Sequence, residues 1–151
     1  MKVLVTGAAG MIGRKFCQRL ARDGAIGGKP VTALHMIDVV AAGELPGAAF
    51  TVTSEAANIA DRALAPRLMA DRPDLIVHLA AIVSGEAEVD FDKGYAVNLD
   101  GTRYIFDAIR AENIMSGGDY RPRVVFSSSI AVFGAPFPDP IPDSQEVPHV
   151  V

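Results

Sequence analysis

Residues 7–13 read Gly-Ala-Ala-Gly-Met-Ile-Gly, so glycines fall at 7, 10 and 13. A short apolar segment, residues 3–6, precedes this run. An amphipathic segment follows it, in which Ile12, Phe16 and Leu20 recur at i, i+4 and i+8 while Arg14, Lys15, Arg19 and Arg22 take other faces. The pattern predicts a buried strand, a tight glycine turn and a helix that stops at Gly24. A backbone without Cβ atoms lets a diphosphate approach. The helix N-terminus beyond it offers unpaired N–H groups and a partial positive charge. Gly13 lets the helix pack closely on the strand. Glycine triplets often serve only as turns, and it is the strand–loop–helix setting that makes this one read as a dinucleotide loop. No Gly-Lys-Ser/Thr closes it, which argues against a P-loop.

The remaining apolar runs continue the alternation. Residues 31–37 predict a second strand ending at Asp38, and residues 50–53 a weak third. Residues 75–79 predict a strand running into Ala80 and Ala81, and residues 124–126 another, followed by three serines. Helices are predicted over 61–70 and, as a long element, within 86–113. On the long one Tyr95, Leu99, Thr102, Phe106 and Ile109 form a stripe read as core. Residues 27–30, 41–49, 71–73 and 116–119 read as loops or turns. Strands apolar throughout, alternating with helices, imply an α/β protein. The expected fold is a doubly wound (Rossmann) parallel sheet with helices on both faces.

Asp38 adds the next constraint. A carboxylate at the end of the second strand can accept hydrogen bonds from adenosine ribose hydroxyls and repels a 2′-phosphate. Val39-Val40-Ala41 follow, with no Arg. The reading is therefore NAD rather than NADP, with a solvated strand-end Asp as the plain alternative. Arg14, close to the loop, reads as a solvated first-turn residue. Composition sets outer bounds. Fourteen Lys and Arg against eighteen Asp and Glu give a net charge of −4. With no Lys/Arg cluster, no nucleic-acid or anionic-membrane surface is expected. The single Cys17 excludes a disulfide within the chain, fits a reducing compartment and reads as a small core residue. The apolar start is too short for a signal peptide or a membrane span. These features together predict a soluble, cytoplasmic protein.

Four blocks in order extend the pattern. They are residues 6–13, His78-Leu79-Ala80-Ala81, Val97-Asn98-Leu99-Asp100-Gly101-Thr102, and Ser127-Ser128-Ser129-Ile130-Ala131-Val132-Phe133-Gly134. With them the chain resembles, over essentially its whole length, the extended short-chain dehydrogenase/reductase family, also called the NAD-dependent epimerase/dehydratase family. Residues 80–86 and 133–138 look most like a branch that oxidises D-erythronate, a four-carbon sugar acid. The resemblance implies NAD as cofactor, held at Gly7, Gly10, Met11, Ile12, Gly13 and Asp38. It sets Asn58 and Ile59 against the adenine, where the family has Asp before the hydrophobe. Leu79, Ala80 and Ala81 would floor the diphosphate and nicotinamide ribose. Asn98 would steady the active-site backbone or that ribose, and Ser127 and Ser128 would line the nicotinamide pocket.

Ser129 matches the family's catalytic Ser/Thr, which would hydrogen-bond the reacting oxygen of the substrate. Ser84 and Glu86 follow as substrate contacts. No metal is expected, and His78 receives no role. A small-molecule sugar acid as partner and a homodimer through the long helix are implied by the same resemblance. The family's general base is a Tyr in Tyr-x-x-x-Lys, expected about 25 residues after Ser129, where it can reach the reacting hydroxyl. Tyr95, Tyr104 and Tyr120 are not followed by Lys four residues on. The expectation is thus the N-terminal portion of a longer enzyme. Residues 1–135 would be its NAD-binding domain, and 136–151 a Pro-rich loop leading to the catalytic and substrate region. The longer protein would oxidise a hydroxyl of a small sugar acid, and this stretch alone would not turn over. An NDP-sugar epimerase or dehydratase shares every motif present. A non-catalytic NAD-binding regulator is the reading from another class, and Ser129 argues against it.

Overall fold

The computed structural model describes residues 1–129. The Pro-rich stretch 136–151 and the motif residues 130–134 lie outside the described residues. Along the chain come β1 (Lys2–Thr6), α1 (Met11–Asp23), β2 (Ala25–Ile26), β3 (Lys29–Pro30), β4 (Ala33–Asp38), β5 (Thr51–Ala56) and α2 (Leu64–Ala70). They continue with β6 (Leu75–His78), α3 (Ser84–Val89), α4 (Phe91–Tyr95), a π-helical turn (Ala96–Gly101), α5 (Thr102–Met115) and β7 (Arg123–Phe126). Five strands form one parallel sheet in the order β5-β4-β1-β6-β7. The chain leaves β1 to one side through β4 and β5, then returns to the other side for β6. That reversal opens the crevice beyond the carboxyl ends of β1 and β6 where ligands of such sheets sit.

Side-chain alternation along the strands fills both faces. Val3, Val5, Leu34, Met36, Leu75 and Val77 pack with Cys17 and Leu20 of α1. Leu4, Ile37 and Ile76 pack with Leu68 of α2 and Ile105 and Ala108 of α5. Two-sided burial is what makes these strands apolar at nearly every position. Cys17 is buried in the first of these cores, and burial pushes its thiol pKa up to about 11. That suits a packing residue and leaves little thiolate.

Several elements differ from the sequence-based expectation. Residues 27–30 are not a plain loop. Gly27 and Gly28, both at positive φ, turn a two-residue hairpin between β2 and β3. The helix expected over 61–70 begins at Leu64, with Pro66 in its first turn, where no N–H acceptor is required. On α1 the buried residues are Gly13, Cys17, Leu20 and Ala21, so Ile12 is exposed rather than core. The long helix is broken at Asp90, whose side chain accepts from the Lys93 N–H and starts α4 afresh. Its stripe is corrected too. Tyr95, Leu99 and Phe106 are 53%, 55% and 48% exposed, while Val97, Gly101, Ile105 and Ala108 face the sheet. β7 is the outer strand of the described sheet, and its Val125 and Phe126 are half exposed rather than buried.

Candidate active site

The strand register brings the motif residues to one level. Thr6 pairs with both Ile37 and His78, and His78 pairs with Phe126. The next residues on the four strands are Gly7, Asp38, Leu79 and Ser127. Backbone bonds hold this row together. The Ala8 N–H donates to Ile37 O at 3.2 Å, Leu79 N–H to Thr6 O at 3.0 Å, and Ser127 N–H to His78 O at 3.3 Å.

Gly7 sits at φ +75°, and an added Cβ would lie 2.6 Å from Ala80 N and Leu79 C. The glycine loop therefore presses on the Leu79–Ala80 backbone. Ala81 follows, exposed at the surface. Gly10 is the N-cap of α1 in extended conformation, with no side-chain cap and no acidic residue in the first turn. Gly13 packs so closely that a Cβ would be 2.2 Å from Gly7 O. The N–H groups of Met11, Ile12 and Gly13 are the first-turn donors that a helix leaves without an intrahelical acceptor. An open N-terminus without a competing carboxylate suits a phosphate, so these residues fit a dinucleotide.

Asp38 does more than its place in the sequence suggested. Its Oδ2 accepts the Ala9 N–H at 2.8 Å and its Oδ1 accepts the Val39 N–H at 2.7 Å. The carboxylate clamps the glycine loop to the end of β4. Each oxygen keeps a second lone pair for a ribose hydroxyl. Nothing in the spacing of Ala9 and Asp38 signals this bond, because it depends on the β1–β4 register.

Asn58 is exposed, and its Oδ1 accepts the Ala60 N–H at 3.0 Å, closing a local turn. Ile59 follows with its side chain turned inward. It is 6% exposed and belongs to the core, where a Cβ on Gly101 would be 2.9 Å from its Cδ1. Only its backbone remains for a ligand.

Asn98 lies in the π turn. Its Oδ1 accepts the Ile82 N–H at 2.8 Å, and its Nδ2 donates to Ile82 O at 2.9 Å. This two-bond clamp fixes the backbone that follows β6. Ser127, Ser128 and Ser129 are exposed at the carboxyl end of β7, beyond the same level of the sheet. Ser84 is the first residue of α3. Glu86 forms an exposed ion pair with Lys93, a contact that contributes little to stability. No helix of the described residues is long and apolar enough to cross a membrane.

A doubly wound parallel sheet with an uncapped glycine loop at its switch point and a carboxylate closing the neighbouring strand defines a dinucleotide-binding Rossmann protein. The chain belongs to the NAD dependent epimerase/dehydratase family, whose pattern matches residues 3–149. NAD is the cofactor of that family. The chain is 36% identical to a D-erythronate dehydrogenase of Cupriavidus necator, over 95% of this chain and 43% of that protein. It is 55% identical to the nucleoside-diphosphate-sugar epimerase from Agrobacterium tumefaciens. That solved structure superposes with a TM-score of 0.90 and covers 99% of this chain and 43% of its own. Uronate dehydrogenase from Agrobacterium tumefaciens, solved with NAD, is 29% identical with a TM-score of 0.63, over 87% of this chain and 42% of its own. The chain spans less than half the length of these relatives.

Proposed function

We propose that the protein carrying this chain is a cytoplasmic NAD-dependent oxidoreductase that oxidises a hydroxyl of a small sugar acid of the D-erythronate kind. The 36% identity to a D-erythronate dehydrogenase over 95% of the chain carries the reading. The levelled row of Gly7, Asp38, Leu79 and Ser127 supports the cofactor's place. In this reading Gly7, Gly10, Met11, Ile12 and Gly13 take the diphosphate, and Asp38 takes the adenosine ribose. Asn58 and the Ile59 backbone border the adenine. Leu79, Ala80 and Ala81 floor the diphosphate and nicotinamide ribose, with Asn98 holding that floor through Ile82. Ser127 and Ser128 line the nicotinamide side. When bound, NAD supplies the hydride acceptor.

Ser129 donates a hydrogen bond to the oxygen of the reacting carbon, with Ser84 and Glu86 as further substrate contacts. The hydroxyl proton must pass to a general base of suitable pKa. The Tyr-x-x-x-Lys that supplies it in this family has no counterpart in residues 1–151. Residues 1–151 alone would then take up NAD without turnover. The exposed Tyr95, Leu99 and Phe106 stripe supports a homodimer, which light scattering of the intact protein checks.

The test is NADH formation at 340 nm by the intact protein with NAD and D-erythronate or related sugar acids. Absence of NADH with all of them, together with interconversion of UDP-sugars, would move the assignment to the second reading. That reading is an NDP-sugar epimerase, favoured by the 55% identity to such a structure. Ser129→Ala in the intact protein should lower turnover about 100-fold, the scale of one lost transition-state hydrogen bond, with NAD affinity unchanged. Unchanged turnover would make Ser129 structural.

A further inference from the structure

Behind the site runs a chain of side-chain hydrogen bonds, buried at its Thr6–His78 end, that the proposed function does not use. The Thr6 hydroxyl, at the end of β1, is 2.6 Å from His78 Nδ1 at the end of β6. His78 Nε2 is 3.0 Å from Thr102 Oγ1 at the start of α5. Thr102 Oγ1 in turn is 2.8 Å from the backbone oxygen of Asn98. That last acceptor fixes the polarity of the whole chain. A carbonyl oxygen can only accept, so Thr102 spends its one proton there and must itself accept from His78. Nε2 therefore carries the imidazole proton, Nδ1 is the acceptor, and Thr6 donates.

We propose that His78, as the neutral imidazole protonated on Nε2, is a positioning residue that ties the ends of β1 and β6 to the turn carrying Asn98. Asn98 clamps both backbone groups of Ile82. Any rotation of that turn is thus passed to the Leu79–Ile82 backbone, against which Gly7 is packed. The relay joins the glycine loop to the floor of the site from below, and its consequence for affinity rests on the reading of this site as the NAD site.

The arrangement is sensitive to protonation. Thr6 and His78 are fully buried. The elements around the ring present Thr6 from β1, Thr102 from α5 and the Phe126 ring, 5.7 Å away, from β7. No charged group of the described residues acts on it, and burial holds its pKa below the usual 6.5. A second proton would turn Nδ1 into a donor facing the Thr6 hydroxyl. That hydroxyl would have to accept, and its own proton would have no other partner among the described residues. Because the folded pKa lies below the unfolded one, the stability present above about pH 6.5 is lost as the pH falls through the folded value.

The test uses the intact protein labelled with 15N-histidine, with the His78 signals assigned by their shift in Thr102→Val. At pH 7 the spectrum should show a neutral ring with the proton on Nε2. A proton on Nδ1, or a charged ring, would overturn the proposal without reference to NAD. NAD dissociation constants are then measured between pH 5 and 7.5. Thr102→Val should weaken NAD roughly tenfold, since it removes both hydrogen bonds of the Thr102 hydroxyl, and Thr102→Ser should restore it. Wild-type affinity should fall towards pH 5, and His78→Gln should flatten that dependence. A dependence that persists in His78→Gln, or no rescue by Thr102→Ser, refutes the positioning role. A wild-type protein that binds no NAD at any pH, yet shows the Nε2 tautomer, would instead fail the cofactor reading alone.

Discussion

Gly7→Ala should be among the most damaging single substitutions in the chain, lowering stability by about 2–5 kcal/mol. Two costs combine. The residue sits at φ +75°, where an L side chain strains the backbone by roughly 1–2 kcal/mol. Its Cβ would also lie 2.6 Å from two atoms of the Leu79–Ala80 backbone, which cannot rotate aside as a flexible side chain would. Overpacking of this kind costs about 1–3 kcal/mol more. Gly27→Ala separates the terms. Gly27 has φ +55° but open space around its Cβ position, so its substitution carries the conformational cost alone. Denaturant midpoints for the two variants in the intact protein measure the difference. If Gly7→Ala costs no more than Gly27→Ala, the loop does not press on the end of β6 as described.

NAD binding by Gly7→Ala should fall below detection even where folded protein survives. The Leu79–Ala80 backbone would have to retreat from the glycine loop, and the two sides of the proposed NAD site would part. Gly10→Ala is the milder companion. Its φ is −69°, and the one close atom, Gly7 O, would be 3.3 Å from the new Cβ.

The same close contacts explain where the sequence misled. The strand, the glycine loop, Asp38 and the serine run after β7 were legible because their spacing carries the meaning. The rotation of the helices was not. On α1 the apolar pattern points to Ile12, Phe16 and Leu20, yet Gly13 must face Gly7 O, and this turns Ile12 towards solvent. On the long helix Tyr95, Leu99 and Phe106 have the largest apolar side chains, yet Gly101 must face Ile59. That brings Val97, Ile105 and Ala108 to the sheet and leaves the larger side chains outside. In both helices a glycine at a close backbone approach, rather than the bulkiest residues, sets the buried face. Periodicity weighs side chains by hydrophobicity, and a glycine carries none of that weight. The relay through His78 and the Asp38–Ala9 bond were hidden for a different reason. They join residues far apart in sequence through strand register, which no local spacing encodes.

Asp38→Ala should weaken NAD by about 10- to 100-fold, since hydrogen bonds to a charged group contribute about 1.5–3 kcal/mol. The proposed ribose bonds are one part of that loss. The Ala9 N–H, now held by Oδ2 at 2.8 Å, is the other, because the glycine loop loses its tie to β4. Asp38→Asn divides them. An Asn oxygen can still accept from Ala9, whereas the negative charge that would repel a 2′-phosphate is gone. NADP affinity should therefore rise in Asp38→Asn, while NAD affinity falls less than in Asp38→Ala. In Asp38→Ala the relaxed repulsion and the slackened loop oppose each other for NADP, so its affinity should change less than that of NAD. Titration of both dinucleotides against the intact protein and the two variants reads all four effects. Equal losses for NAD and NADP in both variants would mean that Asp38 acts only as a clamp on the loop and that the preference for NAD arises elsewhere. A rise in NADP affinity confined to Asp38→Asn would locate the preference in the charge and the loop's alignment in the hydrogen bond to Ala9.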